Sequence, residues 1–106
     1  MANPWRGEVT LVIDGEPYVL RLTLGALAEL EAELGEDTLV DLVARFESGG
    51  CSSRDVLALI VAGLRGGGWR GTAADLMAAE IEGGPLAAAR VAADLLARAF
   101  TPVGEA

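Results

Sequence analysis

Arg21–Gly35, "RLTLGALAELEAELG", starts as the end of a strand and becomes an acidic helix within three residues, and this junction decides the fold. Thr23 is the pivot, because its hydroxyl can accept from a backbone N–H in the first turn of a helix. Leu27, Leu30 and Leu34 then recur at i, i+3 and i+7, which places them on one helical face, and Gly35 supplies a C-terminal stop. A junction with no intervening loop acts as a rigid corner that fixes how the helix leaves the sheet.

Upstream of the corner, residues 8–23 read as a hairpin. Val9, Leu11 and Ile13 alternate with Glu8, Thr10 and Val12, and Tyr18, Leu20 and Leu22 alternate with Val19, Arg21 and Thr23. A period of two puts each apolar set on one face. "DGEP" (Asp14–Pro17) lies between the two runs, and Asp-Gly is a strong hairpin signal. A lone hairpin is marginal in water, so its apolar face requires helices to cover it.

Downstream, four more helices are expected. Asp37 or Thr38 can cap a second, whose Leu39, Leu42, Val43 and Phe46 form a stripe that ends at Gly49 and Gly50. Ser52 or Ser53 can cap a third, "RDVLALIVAGLR". Thr72 can cap a fourth, with Leu76, Met77 and Ile81 inward and Gly83–Gly84 as its stop. Pro85 suits the first position of a fifth, which runs to about Phe100. The fold class expected is α+β and mostly helical: an N-terminal β-hairpin (8–23) on a compact bundle of about five helices (24–100), followed by a short tail (101–106), all in one domain.

Two helices carry unusual patterns. Val56–Leu64 is apolar or Gly throughout, as expected of a helix surrounded by others. In the fifth helix the charges are Arg90, Asp94 and Arg98, an i, i+4, i+8 stripe of alternating sign worth about 0.3 kcal/mol per pair. Two nearly apolar helices in one small domain leave surplus apolar surface. Either Ala-rich faces are tolerated in water, or one of them is a docking face for a partner or a second subunit.

Composition excludes most chemistry. The 106 residues carry sixteen acids and eight bases, a net charge of −8, and every base is Arg; Lys, His and Gln are absent. Such a balance repels a phosphate backbone and an anionic membrane, so no nucleic-acid or membrane partner is expected. Without His and Lys the commonest general base, metal ligand and Schiff-base amine are missing, so the chain is expected not to be an enzyme and to use no cofactor or metal. Cys51 is the single cysteine and has no imidazole to activate it. Residues 1–7 lack the apolar core of a signal peptide, and no apolar run approaches the roughly 20 residues of a membrane span, so a cytoplasmic location is expected.

Three features remain as candidate contacts. Glu29, Glu31, Glu33, Glu36 and Asp37 form an acidic group, with Glu29, Glu33 and Glu36 on one face. Solvated carboxylates account for it, and the other reading is an acidic contact surface for a basic partner. "RGGGWRG" (Arg65–Gly71) has neither the phosphate-loop spacing nor a preceding strand and reads as a flexible joint. Trp69 within it either tucks into the core or stands out as a contact residue. The partner-binding candidates are therefore Glu29, Glu31, Trp69, Arg90, Asp94 and Arg98.

"GEVTLVIDGEPYVLRLTLGALAELEAELG" (Gly7–Gly35) resembles the start of the small tail assembly chaperones of gene transfer agents and related long-tailed phages and prophages. In that family a hairpin with a Tyr-x-Leu second strand runs into T-x-G-A-L-A-E-L-E and a Gly stop. The matching positions are Tyr18, Leu20, Thr23, Gly25, Ala26, Leu27, Ala28, Glu29, Leu30, Glu31 and Gly35. "LRGGG" (Leu64–Gly68) after an apolar helix, and an Ala-rich last helix ending near an aromatic, follow the same pattern. The resemblance implies a protein that binds the tape measure protein during tail assembly and is absent from the finished particle, with tail tube subunits as a further candidate partner. Members are also described as tail-tube proteins, which implies the alternative of a structural tail component retained in the particle. Tube subunits are β-sandwiches that form rings, whereas this chain has material for two strands, and that contrast favours the chaperone.

Overall fold

A computed structural model describes residues 7–35 and 38–100. Its elements run β1 (Val9–Ile13), β2 (Glu16–Leu20), α1 (Leu24–Leu34), α2 (Leu39–Ser48), α3 (Ser53–Gly66), α4 (Ala73–Ala78) and α5 (Gly84–Ala99). The fold is α+β and mostly helical, with the hairpin at its N-terminal end. The tail at 101–106 and the candidate cap Asp37 lie outside the described residues.

The hairpin turns more tightly than "DGEP" suggests. β1 and β2 are antiparallel with Ile13 opposite Glu16, so only Asp14 and Gly15 form the turn and Pro17 is already in the strand, opposite Val12. Both turn residues have positive φ, 51° and 80°, as a two-residue turn of this hand demands. Asp14 tolerates that conformation because its backbone and side chain are both engaged: its N–H donates to the Glu80 carbonyl at 2.8 Å, and its Oδ1 accepts from Glu80 N–H at 2.9 Å.

The corner is not a direct junction. β2 ends at Leu20, and Arg21–Thr23 is a three-residue link before α1. Arg21 N–H donates not to a strand but to the Gly63 carbonyl of α3, at 2.9 Å. Thr23 does cap α1, with Oγ1 accepting from Ala26 N–H at 3.1 Å. Gly25 has only the Thr23 hydroxyl near its would-be side chain, so the corner does not crowd it.

Three helices start with the same device. Thr38, Ser52 and Thr72 each accept from the N–H of an Asp three residues on, and that Asp carboxylate accepts the cap residue's own N–H. For α3 the cap is therefore Ser52 and not Ser53, and α2 takes Thr38.

The fourth helix is shorter than its sequence pattern predicts. α4 stops at Ala78, Met77 is 71% exposed, and Ile81 forms an antiparallel bridge with Ile13. Glu82 N–H donates to the Val12 carbonyl at 3.0 Å, so Glu80–Glu82 is a strand-like segment along β1. The free edge of β1 offers unpaired backbone groups there, and satisfying them outweighs one more helical turn. Gly83, at φ 84°, is then the N-cap of α5, not the stop of α4, and Pro85 falls in the first turn of α5.

α3 is central. It meets α1, α4, α5 and β2, and Leu59, Ile60 and Leu64 are at most 1% exposed. Its last turn lies so close to the hairpin that side chains are excluded. A Cβ at Gly66 would overlap the Arg21 carbonyl oxygen, one at Gly67 that of Val19, and one at Gly63 would meet Leu95 Cδ1 at 2.7 Å. "RGGGWRG" is therefore an interlock at its start, where backbone meets backbone, and not a flexible joint. Trp69 N–H donates to the Leu64 carbonyl at 2.9 Å, and its ring is half-buried against the core.

Candidate functional site

α1 and α3 line a groove of about 530 Å³, bounded at one end by Gly50 and Ser52 of the α2–α3 connection. Its floor is apolar: Leu30 and Leu34 from α1, and Leu57, Ala58, Val61 and Ala62 from α3. Its walls are charged with opposite sign. The α1 wall carries Glu29 and Glu33, and α3 carries Arg54 and Arg65.

The spacing explains the layout. Arg54, Ala58, Val61 and Arg65 stand at i, i+4, i+7 and i+11, one helical face with charged ends and an apolar middle. Those ends are about 16 Å apart along the axis, room for roughly three turns of a second helix. Glu29 and Glu33 stand at i, i+4 beside Leu30 and Leu34, so each turn of α1 offers one floor residue and one rim residue.

Two ion pairs brace this region. Arg65 Nη1 reaches Glu29 Oε1 at 3.2 Å, between side chains that are both largely exposed. Arg45, from α2, holds Asp55 at the start of α3 with a two-pronged contact: Nε to Oδ2 and Nη2 to Oδ1, each at 2.9 Å. Asp55 also accepts Ser52 N–H at 2.9 Å as part of the cap. The Arg45 guanidinium, aided by the Ser52 donors, holds the Asp55 carboxyl below the ordinary carboxylate range although burial opposes ionisation. Glu33 and Arg54 have no such partner among the described residues.

Of the six candidate contact residues, Glu29 alone lines the groove. Glu31 is exposed on α1 outside it, and Trp69 is half-buried. Arg90 and Asp94 are exposed on α5, and Arg98 is half-buried with its Nε lacking a partner. Among the described residues, neither Arg90 nor Arg98 pairs with Asp94, so the expected stripe of ion pairs does not close. The buried face of α5 is Ala88, Ala92, Leu95 and Leu96; its exposed apolar side chains include Leu86 and Phe100 at opposite ends. Sequence reasoning missed Glu33, Arg54 and Arg65 as a set. The signal was there in the two arginines that bracket Val56–Leu64 on one face.

Chemically, the groove offers apolar contact area and complementary charge. Among the described residues, no three acidic or thiol groups converge on a metal-sized space, and no helix is long and apolar enough to cross a membrane. Cys51 is half-buried in the α2–α3 connection.

A family model described as phage tail tube protein, GTA-gp10, matches residues 6–101. The chain belongs to this family. No curated protein and no solved structure matches it. The GTA-gp10 match spans both the hairpin and all five helices, so the groove is built wholly from residues inside the matched region.

Proposed function

We propose that this GTA-gp10 family member is a non-enzymatic tail assembly chaperone of a phage or gene transfer agent, which holds the tape measure protein in the host cytoplasm while the tail is built. The observation that carries the reading is the groove between α1 and α3: an apolar floor between charged rims, with the two arginines of α3 about three helical turns apart. Helix-in-groove docking needs that arrangement and no reactive group. The lack of His and Lys and the net charge of −8 support a holding role without catalysis, nucleic acid or membrane, and help keep a complex with an apolar client in solution.

A second reading, a structural tail component, draws on the family's description as a tail tube protein. Against it stands the hairpin, whose two edges are both engaged within the chain. β1 carries Glu80–Glu82 near its turn, and the end of β2 is clamped by α3. Ring formation by sheet extension would have to displace those neighbours.

The test is to isolate a tagged copy from producing cells and to analyse finished particles in parallel by mass spectrometry. The chaperone reading expects the tape measure protein in the eluate and none of this chain in particles. Stoichiometric presence in particles would replace it with the structural reading.

A further inference from the structure

We infer that the charges on the two walls of the groove set the direction in which a bound helix lies. The inference rests on the holding role proposed above and adds the chemistry of the segment held. Across the groove α1 contributes the acids Glu29 and Glu33, and α3 contributes the bases Arg54 and Arg65; Asp55 of α3 also lines it, but Arg45 of α2 pairs with it at 2.9 Å. Glu29 and Arg65 satisfy each other across one end. Glu33 and Arg54 are exposed and unpaired among the described residues, so they are the charges left for a ligand.

Arg54 also sits in the first turn of α3, two residues after the cap Ser52. A cation there opposes the helix dipole, so its place is not explained by the stability of its own helix. The complementary ligand is an amphipathic helix of about three turns, with an apolar stripe, basic residues along one flank and acidic residues along the other. Such a helix can lie in the groove in two directions, and turning it end for end exchanges its flanks. One direction sets base against Glu33 and acid against Arg54; the other sets like charges together. Opposite charges favour the first and like charges disfavour the second, so the walls select direction as well as occupancy.

The test uses two synthetic 18-residue helical peptides with the same leucine stripe and exchanged Lys and Glu flanks, each carrying ¹⁵N-alanine near both ends. A spin label is placed at the groove's α2–α3 end on a Cys51→Ser, Ser53→Cys protein; Ser53 is exposed and is not the cap. A label on native Cys51 serves as the second site. The expected result is that opposite termini of the two peptides are broadened, each several-fold more than its other end. Glu33→Lys with Arg54→Glu should exchange the two patterns. Broadening of the same terminus in both peptides, or of both termini equally, would overturn the inference while leaving a groove that holds helices. Failure of either peptide to bind, or broadening between labelled and unlabelled copies of the protein alone, would also overturn it. The holding role would then still be decided by whether the tape measure protein co-purifies.

Discussion

At its C-terminal end α3 meets the hairpin and the link after it backbone to backbone, with Gly66 and Gly67 leaving no room for a methyl group. On its opposite face, from Arg54 to Arg65, the same helix borders α1 across a groove, with Ala58, Val61 and the arginine stems partly open to water. The glycine face is fixed by contacts that cannot be adjusted, because a carbonyl oxygen cannot rotate aside as a side-chain tip can. The groove face is held by side chains and two ion pairs, which can shift. A binding site placed on the adjustable face can open or tighten without disturbing the part that defines the fold.

The largest effect should come from breaking the interlock. Gly66→Val places branched carbon on the Arg21 carbonyl, so β2 must move off α3. We expect a loss of about 4 kcal/mol or more, a large fraction of the ~5–15 kcal/mol typical of a native domain. A urea melt that moved by less than about 1 kcal/mol would show that the contact yields and that the comparison is mistaken.

Leu30 belongs to both the core and the groove, since it is 1% exposed and also forms groove floor. Leu30→Ala should cost about 2–5 kcal/mol. A loss within about 0.5 kcal/mol would mean that the floor can collapse onto the cavity, as an adjustable surface would.

Asp55→Asn removes the charge of the staple between α2 and α3 and keeps part of the cap. Arg45 is 28% exposed, which tempers the pair, so the expected loss at neutral pH is about 2 kcal/mol. The folded carboxyl titrates below its unfolded value of about 3.9. Its contribution is therefore complete above that value and fades as pH falls through the lower folded one. Melts of the two proteins should converge at strongly acidic pH. A difference that stayed constant down to pH ~2 would assign the loss to the amide's fit and not to the charge.

The hairpin and most helices of this fold were legible because their signals are local. Alternation in Val9–Ile13, the cap at Thr23 and the glycine stop after α2 all act within a few residues. What escaped depends on neighbours distant in sequence. Ile81 continues the helical pattern of α4 by spacing but pairs with Ile13, which no local signal near residue 81 announces. Gly66 and Gly67 read as flexibility until β2 lies on them. The groove was partly legible: an apolar run with an arginine at each end implies a covered helix, and only the structure tells that α1 covers it incompletely along Ala58 and Val61. The candidates on α5 were drawn from a charge stripe that does not close.

Gly25 lies apart from both faces, exposed in the first turn of α1 with nothing but the Thr23 hydroxyl near it. Gly25→Ala should therefore stabilise by about 0.5–1 kcal/mol, through loss of freedom in the unfolded chain. Destabilisation of that size would place an unseen crowding at the corner.

The smallest effect separates stability from binding most cleanly. Arg54 is a cation in the first turn of α3, where a carboxylate would be favoured. Arg54→Glu should leave the fold intact and raise its stability by about 0.3–1 kcal/mol at low salt, with the gain shrinking as salt is added. The same change reverses the sign of one groove wall, so it should weaken or redirect a charged amphipathic helix. A protein selected for stability alone would not keep an arginine there, whereas one that must hold a client in a fixed direction would. If the variant instead melted more than about 1 kcal/mol lower, Arg54 would belong to the scaffold, and the groove would have lost the α3 charge that is unpaired among the described residues.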